Sequence, residues 1–215
     1  MLEVLDSDVS ILKLLVTDYF RNKYAAQLKP FEKLIEVAGD NELNDIGSLQ
    51  SNDSAIAICA SKDESTPGII NNEWVIVLDN INDPGNLGTI IRIADWYGIK
   101  KIVCSEDTAD LYNPKVINAS KGSFLRVSLS YTDLPSFLKH QHVAIYGADL
   151  HGENIHKTVF SNEGILIMGN EAHGISSEVK KLLRHLLTIP RFGMAESLNV
   201  GIATAICCDR IKSQL

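Results

Sequence analysis

Two polar side chains interrupt the apolar segment between residues 74 and 98. Asn86 offers an amide that both donates and accepts hydrogen bonds. Arg92, between Ile91 and Ile93, offers a permanent cation that can hold a phosphate or an attacking oxygen. Structural alternatives exist for both residues: a helix N-cap for Asn86, and an ion pair with Asp95 for Arg92.

Two polar loops further along the chain carry more candidate groups. The loop GNEAHG, bracketed by Gly169 and Gly174, contains Glu171, and the segment before the last helix contains Ser197 and Asn199. The structural alternatives are a solvated loop carboxylate for Glu171, a helix cap for Ser197 and a first-turn residue for Asn199. Lys121, in the tight loop SKGS, is either a phosphate contact or a surface lysine at a turn.

The sequence lacks the common signatures of other enzyme classes. GxGxxG, GxxxxGK[ST], GxSxG and HExxH are all absent, which argues against dinucleotide, P-loop, α/β-hydrolase and zinc-protease sites. The six histidines show no metal-ligand spacing, so no metal site is predicted, and His173 is the only one inside a candidate site.

Alternating strands and helices must position these groups. Trp74–Leu78 is a continuous apolar run typical of a buried strand, and the turn NDPG leads into a helix near Asn86 with one apolar stripe. Gly98 ends this helix, and Lys100–Cys104 is a second strand, so the segment predicts a βαβ unit and a parallel sheet.

The alternation continues to the C-terminus. Predicted strands are 124–129, 142–147, 164–168 and 187–190, with helices at 114–119, 133–140, 177–186 and after Ser197. We therefore predict an α/β fold with helices on both faces of a parallel sheet. The unusual loops all follow strands, where open α/β sheets bind ligands.

Residues 1–70 predict a smaller α/β module. It has strands at 13–17, 33–38 and 55–60 and helices at 18–28 and 41–49. The polar segment 61–68 separates it from a second domain, 71–215. Nine acidic residues lie in its first 50: Glu3, Asp6, Asp8, Asp18, Glu32, Glu36, Asp40, Glu42 and Asp45.

Bulk composition is that of a soluble globular protein. The chain has 215 residues, 45% hydrophobic, and no apolar run approaches the ~20 residues of a membrane span. The N-terminus does not resemble a signal peptide.

Four cysteines without CxxC spacing predict free thiols in a reducing cytoplasm. The net charge of −7 argues against nucleic acid as a partner, although local basic clusters occur: Lys100–Lys101, Lys121 with Arg126, and Lys180–Lys181 with Arg184.

Three ordered motifs carry a family resemblance. NINDPGNLGTIIRIADWYG, GNEAHGIS and IPRFGMAESLNVGIA resemble the motifs of the SpoU (TrmH) family of SPOUT methyltransferases, and the match covers residues 74–210. The resemblance implies S-adenosylmethionine-dependent methylation of an RNA ribose 2′-hydroxyl, on rRNA first and tRNA second. It also implies a C-terminal trefoil knot and a homodimer through the C-terminal helix.

The resemblance also assigns positions in this chain. It implies Asn86, Arg92, Glu171, Ser197 and Asn199 as catalytic positions. It implies Gly169, Ile189 and Leu198 as contacts of the cofactor.

The resemblance extends more weakly to the N-terminal module, which is similar to the substrate-binding domain that precedes the catalytic domain in many SpoU enzymes. This module lacks the usual basic segment and is acidic, so the alternatives are a truncated module and one that depends on a partner. The rival function for the whole chain is a catalytically silent RNA-binding or assembly protein, and a further rival is an enzyme for another adenine-containing ligand.

Overall fold

The chain divides into two compact units, Met1–Asp63 and Glu64–Leu215. The computed structural model describes residues 1–47, 54–61 and 67–215. The second unit begins before residue 71, the predicted domain start, because the segment around Ile70 belongs to its core. Ile70 is 3% exposed, and its backbone N–H donates to Gln141 Oε1 at 2.9 Å.

The first unit is a three-stranded sheet covered by short helices. Its central strand pairs parallel with one neighbour and antiparallel with the other, and Leu5, Leu14, Val16, Phe20 and Leu28 form its core. Its elements are α1 (Leu2–Leu5), β1 (Ile11–Val16), α2 (Asp18–Lys23), α3 (Ala25–Leu28), β2 (Ile35–Val37), α4 (Asp40–Ile46) and β3 (Ala55–Cys59), with a 3-10 helix at Lys29–Leu34.

The second unit is a six-stranded, entirely parallel sheet with helices packed against it. Its strand order is β6-β5-β4-β8-β7-β9. The elements are β4 (Trp74–Asp79), α5 (Pro84–Trp96), β5 (Lys101–Cys104), α6 (Pro114–Ser120), β6 (Ser128–Tyr131), α7 (Leu134–Lys139), β7 (Ile145–Asn154), β8 (Gly164–Gly169), α8 (Ser177–Lys180), β9 (His185–Thr188) and α9 (Val200–Lys212), with a 3-10 turn at Ser123–Leu125. The predicted α/β class is confirmed.

Strand β4 lies at the centre of this sheet and is buried at all six positions. Because side chains alternate across a strand, Ile76 and Leu78 pack with α5 and α9 on one face, whereas Val75 and Val77 pack with α7 on the other. Both faces of β4 are therefore apolar, which explains its continuous apolar sequence.

The carboxyl ends of β4, β8 and β9 lie at the same edge of the sheet because the strands are parallel. The segments that follow these three strands, which are loops and the first turn of α5, contain Asn86, Glu171, Ser197 and Asn199. The topology therefore collects segments separated by up to 113 positions in the chain at one edge.

Several elements of the second unit differ from the prediction: the strand expected at 142–147 is Ile145–Asn154, and the strand expected at 187–190 is His185–Thr188. The strand expected at 124–129 is a 3-10 turn followed by β6, because Lys121 and Gly122 adopt φ of 50° and 88° and turn the chain. The helix expected at 177–186 ends at Lys180. Leu183 then packs against Gly147, where an added Cβ would lie 2.5 Å from Leu183 Cδ1, and the chain continues into β9.

In the first unit, the helix expected at 18–28 breaks at Tyr24 (φ −117°, ψ 30°) into α2 and α3. The helix expected at 41–49 is α4, and positions 48 and 49 lie outside the described residues.

The four cysteines are free thiols. Cys207 and Cys208 are buried in α9, and burial raises the pKa of Cys207 to about 12, so it stays protonated at neutral pH. Within residues 1–47, 54–61 and 67–215, no helix has the length and apolarity needed to cross a membrane.

Candidate active site

Helix α5 begins at the carboxyl end of β4 and carries the first candidate residues. Asp83 is its N-cap: the side-chain Oδ1 accepts the backbone N–H of Asn86 at 2.8 Å, and Pro84 occupies the first helical turn. The interpretation of Asn86 as the cap is therefore wrong. Asn86 lies in the first turn of the helix, three residues after the cap, and its side-chain amide is available for other contacts.

Helix α9 is capped by Asn199 rather than by Ser197. Asn199 Oδ1 accepts the backbone N–H groups of Gly201 at 2.9 Å and Ile202 at 3.3 Å. Ser197 lies two residues before the cap, in an exposed segment. The prediction that Ser197 caps the last helix is wrong, because the helix begins at Val200.

Three of the predicted residues form one hydrogen-bonded network. Asn199 Nδ2 donates to Asn86 Oδ1 at 2.9 Å, and Asn86 Nδ2 donates to Glu171 Oε1 at 2.5 Å. Each amide orientation is fixed by its partners. The helix N–H groups of α9 require an acceptor, so Asn199 presents its NH₂ group to Asn86. An ionised carboxylate only accepts, so Asn86 must present its NH₂ group to Glu171.

The loop that carries Glu171 is held in shape by Asn170. Asn170 Oδ1 accepts the backbone N–H groups of Ala172 at 2.9 Å and His173 at 3.1 Å, while its Nδ2 donates to the carbonyl of Asn80 at 2.8 Å. These bonds tie the loop after β8 to the loop after β4. Glu171 is thereby directed toward α5.

Gly169 is required by this same loop. A Cβ at Gly169 would lie 2.3 Å from the backbone of Gly174 and Ile175, so only glycine lets the chain return this closely. The family resemblance implies Gly169 as a contact of the cofactor. In the structure its close neighbour is the protein backbone itself.

A cavity of about 550 Å³ opens between the middle of β7 and the loops after β8 and β9. All three predicted cofactor contacts, Gly169, Ile189 and Leu198, line it, as do Glu171 and Ser197. Its apolar walls also include Met168, Leu187, Val200 and Ala203, and its polar lining includes Asp149, His151, His173 and Glu196. Asn86, Arg92 and Asn199 do not line the cavity.

Arg92 is exposed on α5, six positions after Asn86. The ion pair considered between Arg92 and Asp95 is wrong, because Asp95 is bound by Arg126 through Nε and through Nη2 at 2.8 Å. This guanidinium lowers the pKa of Asp95 below its ordinary value of 3.8. Among the described residues, the side chain of Arg92 has no hydrogen-bond or ion-pair partner.

Two residues that position the site were not predicted from the sequence. Asp79, at the end of β4, is 6% exposed, and its Oδ2 accepts the backbone N–H of Ser176 at 2.7 Å. Asn170 organises the Glu171 loop. The sequence offered one signal for each residue. Asp79 is a carboxylate at the end of an otherwise apolar strand, and Asn170 is an amide next to the loop glycine Gly169.

Comparison with known proteins assigns the family. Residues 73–209 match the family model described as the SpoU rRNA Methylase family. The chain belongs to the SpoU rRNA methylase family.

Relatives of the SpoU family extend this assignment. The 23S rRNA (guanosine(2553)-2′-O)-methyltransferase RlmP of Bacillus subtilis (strain 168) is 35% identical over 142 residues, which is 64% of this chain and 57% of that protein. A putative RNA methyltransferase of the TrmH family from Porphyromonas gingivalis is 31% identical, with a TM-score of 0.84 over 99% of this chain and 86% of that one. An AdoMet-bound rRNA methyltransferase from Sinorhizobium meliloti is 26% identical, with a TM-score of 0.84 over 100% of this chain and 85% of that one.

The aligned region spans 57% of the Bacillus relative and between 53% and 65% of the next three curated relatives. The SpoU motifs all lie inside the matched region. The network of Asn86, Glu171 and Asn199 joins one residue from each motif.

Proposed function

We propose that this SpoU protein transfers a methyl group from S-adenosylmethionine to a ribose 2′-hydroxyl of RNA, with rRNA as the first target and tRNA as the second. One observation carries the proposal. The network of Asn199, Asn86 and Glu171 joins three distant segments beside a cavity lined by the three expected cofactor contacts. The names of the relatives, which act on 23S rRNA, support the choice of RNA.

The cavity suits an adenosine-containing sulfonium compound. Its volume of about 550 Å³ lies in the range of small-molecule sites. Ile189 and Leu198 offer apolar surface to a purine ring, and Glu171 and Glu196 supply negative charge that complements a cation. When bound, S-adenosylmethionine would supply an electrophilic methyl group on a positively charged sulfur.

Arg92 is assigned to hold the RNA. A guanidinium titrates above about 12, so Arg92 remains a cation at neutral pH and is a poor proton acceptor. Its exposed position and its lack of a partner in the described chain leave its five donors available for a phosphate or for the attacking oxygen. Asn86, Glu171 and Asn199 would orient the reacting groups, and Ser197 would contact the substrate from the cavity loop.

The basic clusters seen in the sequence contribute unequally to RNA recognition. Lys101 pairs with Glu73 at 2.6 Å, Arg126 with Asp95, and Lys180 with Asp149 at 2.7 Å. Each of these clusters is therefore partly neutralised.

We assign RNA contact to Arg92 and to the N-terminal unit. We propose this unit as a substrate-binding module because of its α/β architecture. The likeness to the Porphyromonas protein covers 99% of this chain and so includes this unit.

A homodimer through α9 is part of the proposal. Ile202 is 53% exposed on α9, and Trp96 is 83% exposed on α5. A second copy would cover this apolar surface. We expect a dimer by light scattering and a monomer for Ile202→Lys, and a wild-type monomer at micromolar concentration would contradict the assignment.

Two further features stay predictions, the first implied by the resemblance and the second by the cysteines. One is the C-terminal trefoil knot. The other is a cytoplasmic location, which the four free thiols favour because disulfides persist mainly in oxidising compartments.

The test of the activity is methyl transfer itself. We expect the protein to incorporate tritiated methyl groups into ribosomal RNA, and to bind S-adenosylhomocysteine in calorimetry. The rival, a silent RNA-binding protein of the same fold, predicts RNA binding without incorporation. Absence of both S-adenosylhomocysteine binding and incorporation would reject the proposed activity.

A further inference from the structure

The turn after α6 leaves two backbone N–H groups without an acceptor. Helix α6 ends at Ser120, and the next two residues, Lys121 and Gly122, have φ of 50° and 88°. The hydroxyl of Ser120 donates at 2.9 Å to the carbonyl of Ile117, which is the carbonyl that the N–H of Lys121 would reach by continuing the helix. Among the described residues, neither the N–H of Lys121 nor that of Gly122 has a hydrogen-bond acceptor. The turn therefore presents two consecutive donors.

The backbone conformation of this turn is one that binds anions. When a helical residue is followed by a left-handed one, successive backbone N–H groups converge on a concavity that can hold an anion. Ser120 is the last residue of α6, and Lys121 has φ 50° and ψ 43°, so the pair adopts this arrangement. The two donors without acceptors therefore face one site.

The side chain of Lys121 adds a cation to this turn. It is exposed, and its Nζ donates at 3.0 Å to Asn118 Oδ1, which is a neutral acceptor. No carboxylate pairs with it in the part of the chain that the structure describes, whereas Lys101, Arg126 and Lys180 each have one. The ammonium also offsets the partial negative charge at the C-terminus of α6. The turn therefore combines hydrogen-bond donors with a positive charge that no carboxylate neutralises.

This turn lies along the face of α5 that carries Arg92. Gly88, Arg92 and Asp95 follow one another at intervals of four and three residues, so they share one face of the helix. A Cβ added to Gly88 would lie 3.1 Å from the backbone nitrogen of Ser120, and Asp95 is bound by Arg126 Nη2 at 2.8 Å. The segment from Ser120 to Arg126 therefore runs beside Arg92, and the carboxylate of Asp95 on this face is already neutralised. Because helical side chains lean toward the preceding turn, Arg92 lies over the turn of Gly88, next to the end of α6.

We propose that the turn at Lys121 and Gly122 holds a phosphate of the substrate RNA beside Arg92, an assignment that rests on the RNA substrate of the proposed function. The two N–H groups donate to the phosphate oxygens, and the ammonium supplies charge-assisted contact. A phosphate contact fixes the position of a nucleic acid without reading its sequence. Of the two interpretations that the sequence allows for Lys121, phosphate contact is the one that uses these donors.

Amide NMR tests the site without any activity measurement. We expect the backbone signals of Lys121 and Gly122 to shift when a short single-stranded RNA of mixed sequence is added. Ser120→Ala frees the carbonyl of Ile117 to accept the N–H of Lys121, so it should slow exchange of that amide with solvent and weaken RNA binding without lowering Tm. Unshifted signals in saturating RNA would overturn the proposal. Inorganic phosphate that shifts them as strongly as RNA at the same concentration would overturn the assignment to RNA.

The affinity test uses Lys121→Asn, because asparagine tolerates the left-handed conformation and removes the charge. One phosphate contact contributes about 0.7 to 0.9 to the slope of log affinity against log salt, so the variant should lose about that much slope and bind RNA about five- to eightfold more weakly at about 0.1 M salt. Lys139→Asn is the matched control. It removes the same charge from α7, which packs on the opposite face of the sheet from α5, and should keep the wild-type slope. Both variants should keep the wild-type Tm and S-adenosylhomocysteine affinity.

Steady-state kinetics separate this site from the proposed activity. Because the contact acts in binding, Lys121→Asn should raise the KM for RNA by the same factor as the loss of affinity and leave kcat unchanged. An unchanged salt slope and an unchanged KM in this variant would reject the phosphate site and leave the proposed methyltransferase function standing. If Lys121→Asn loses RNA affinity but the wild-type protein transfers no methyl group, the phosphate site stands and the proposed activity is rejected.

Discussion

Substitutions at Asn199 separate its two structural roles. The side chain caps α9 through Oδ1 and donates to Asn86 through Nδ2. Asn199→Asp keeps an acceptor for the helix N–H groups but removes the donor. Asn199→Ala removes both. The two variants should therefore differ in stability and share a loss of activity.

The expected magnitudes follow from these contacts. Loss of an N-cap costs about 1 kcal/mol, which lowers Tm by roughly 2–4 °C in a domain of this size, so Asn199→Ala should show that decrease. Asn199→Asp should keep the wild-type Tm. It places a carboxylate against Oδ1 of Asn86, so two acceptors face each other, and Asn86 cannot turn its NH₂ group to the new carboxylate without withdrawing it from Glu171. Because both contacts are exposed, water can satisfy the freed acceptor and the Tm is kept, whereas Glu171 and Asn86 are no longer held in place and methylation should slow by up to about 10²-fold.

Thermal unfolding and single-turnover methylation would be measured on the same preparations, with calorimetry of S-adenosylhomocysteine as a folding control. Asn199→Ser, a good cap that is too short to reach Asn86, should resemble Asn199→Asp in stability. If Asn199→Asp methylates at the wild-type rate, the network is not needed for reaction. If its Tm falls as far as that of Asn199→Ala, the capping argument is wrong.

Three further perturbations have defined outcomes. Arg92→Lys should fold and bind S-adenosylhomocysteine but lose methylation, because an ammonium lacks the planar fork of a guanidinium, and near-normal turnover would contradict that role. Gly169→Ala should lower Tm and weaken cofactor binding, because its Cβ would meet the Gly174 backbone at 2.3 Å, and an unchanged Tm would count against this clash. Asp95 has a pKa depressed below 3.8 by Arg126, so its contribution to stability is present above that pH and lost as pH falls below it. Acid unfolding of Asp95→Asn should lack this contribution, and a curve parallel to wild type would refute the pairing.

The sequence predicted the central sheet because its strands are continuous apolar runs between turn formers. β4 and β8 occur within one residue of the predicted limits. Prediction failed where tertiary packing decides the local structure. Residues 177–186 have a helical pattern, but Leu183 packs against Gly147 and the chain continues as strand β9 from His185.

The candidate site was predicted by residue type and motif, whereas its geometry was not. The pattern placed Asn86, Glu171 and Asn199 at one edge of the sheet, but nothing in the spacing of residues indicates which amide donates to which acceptor. The role of Asn170 depends on a bond to Asn80, 90 positions earlier, which no local pattern reveals.

Capping was considered as an alternative to active-site organisation for Asn86 and Ser197, whereas the structure shows both roles at Asn199, where they depend on each other. The N–H groups at the start of α9 fix Oδ1 of Asn199, which directs its NH₂ group to Asn86. Asn86 is then obliged to present its own NH₂ group to Glu171. The donor that Asn86 presents to Glu171 therefore follows from the position of a helix N-terminus, so displacing α9 should disturb this network together with the cavity wall formed by Val200 and Ala203.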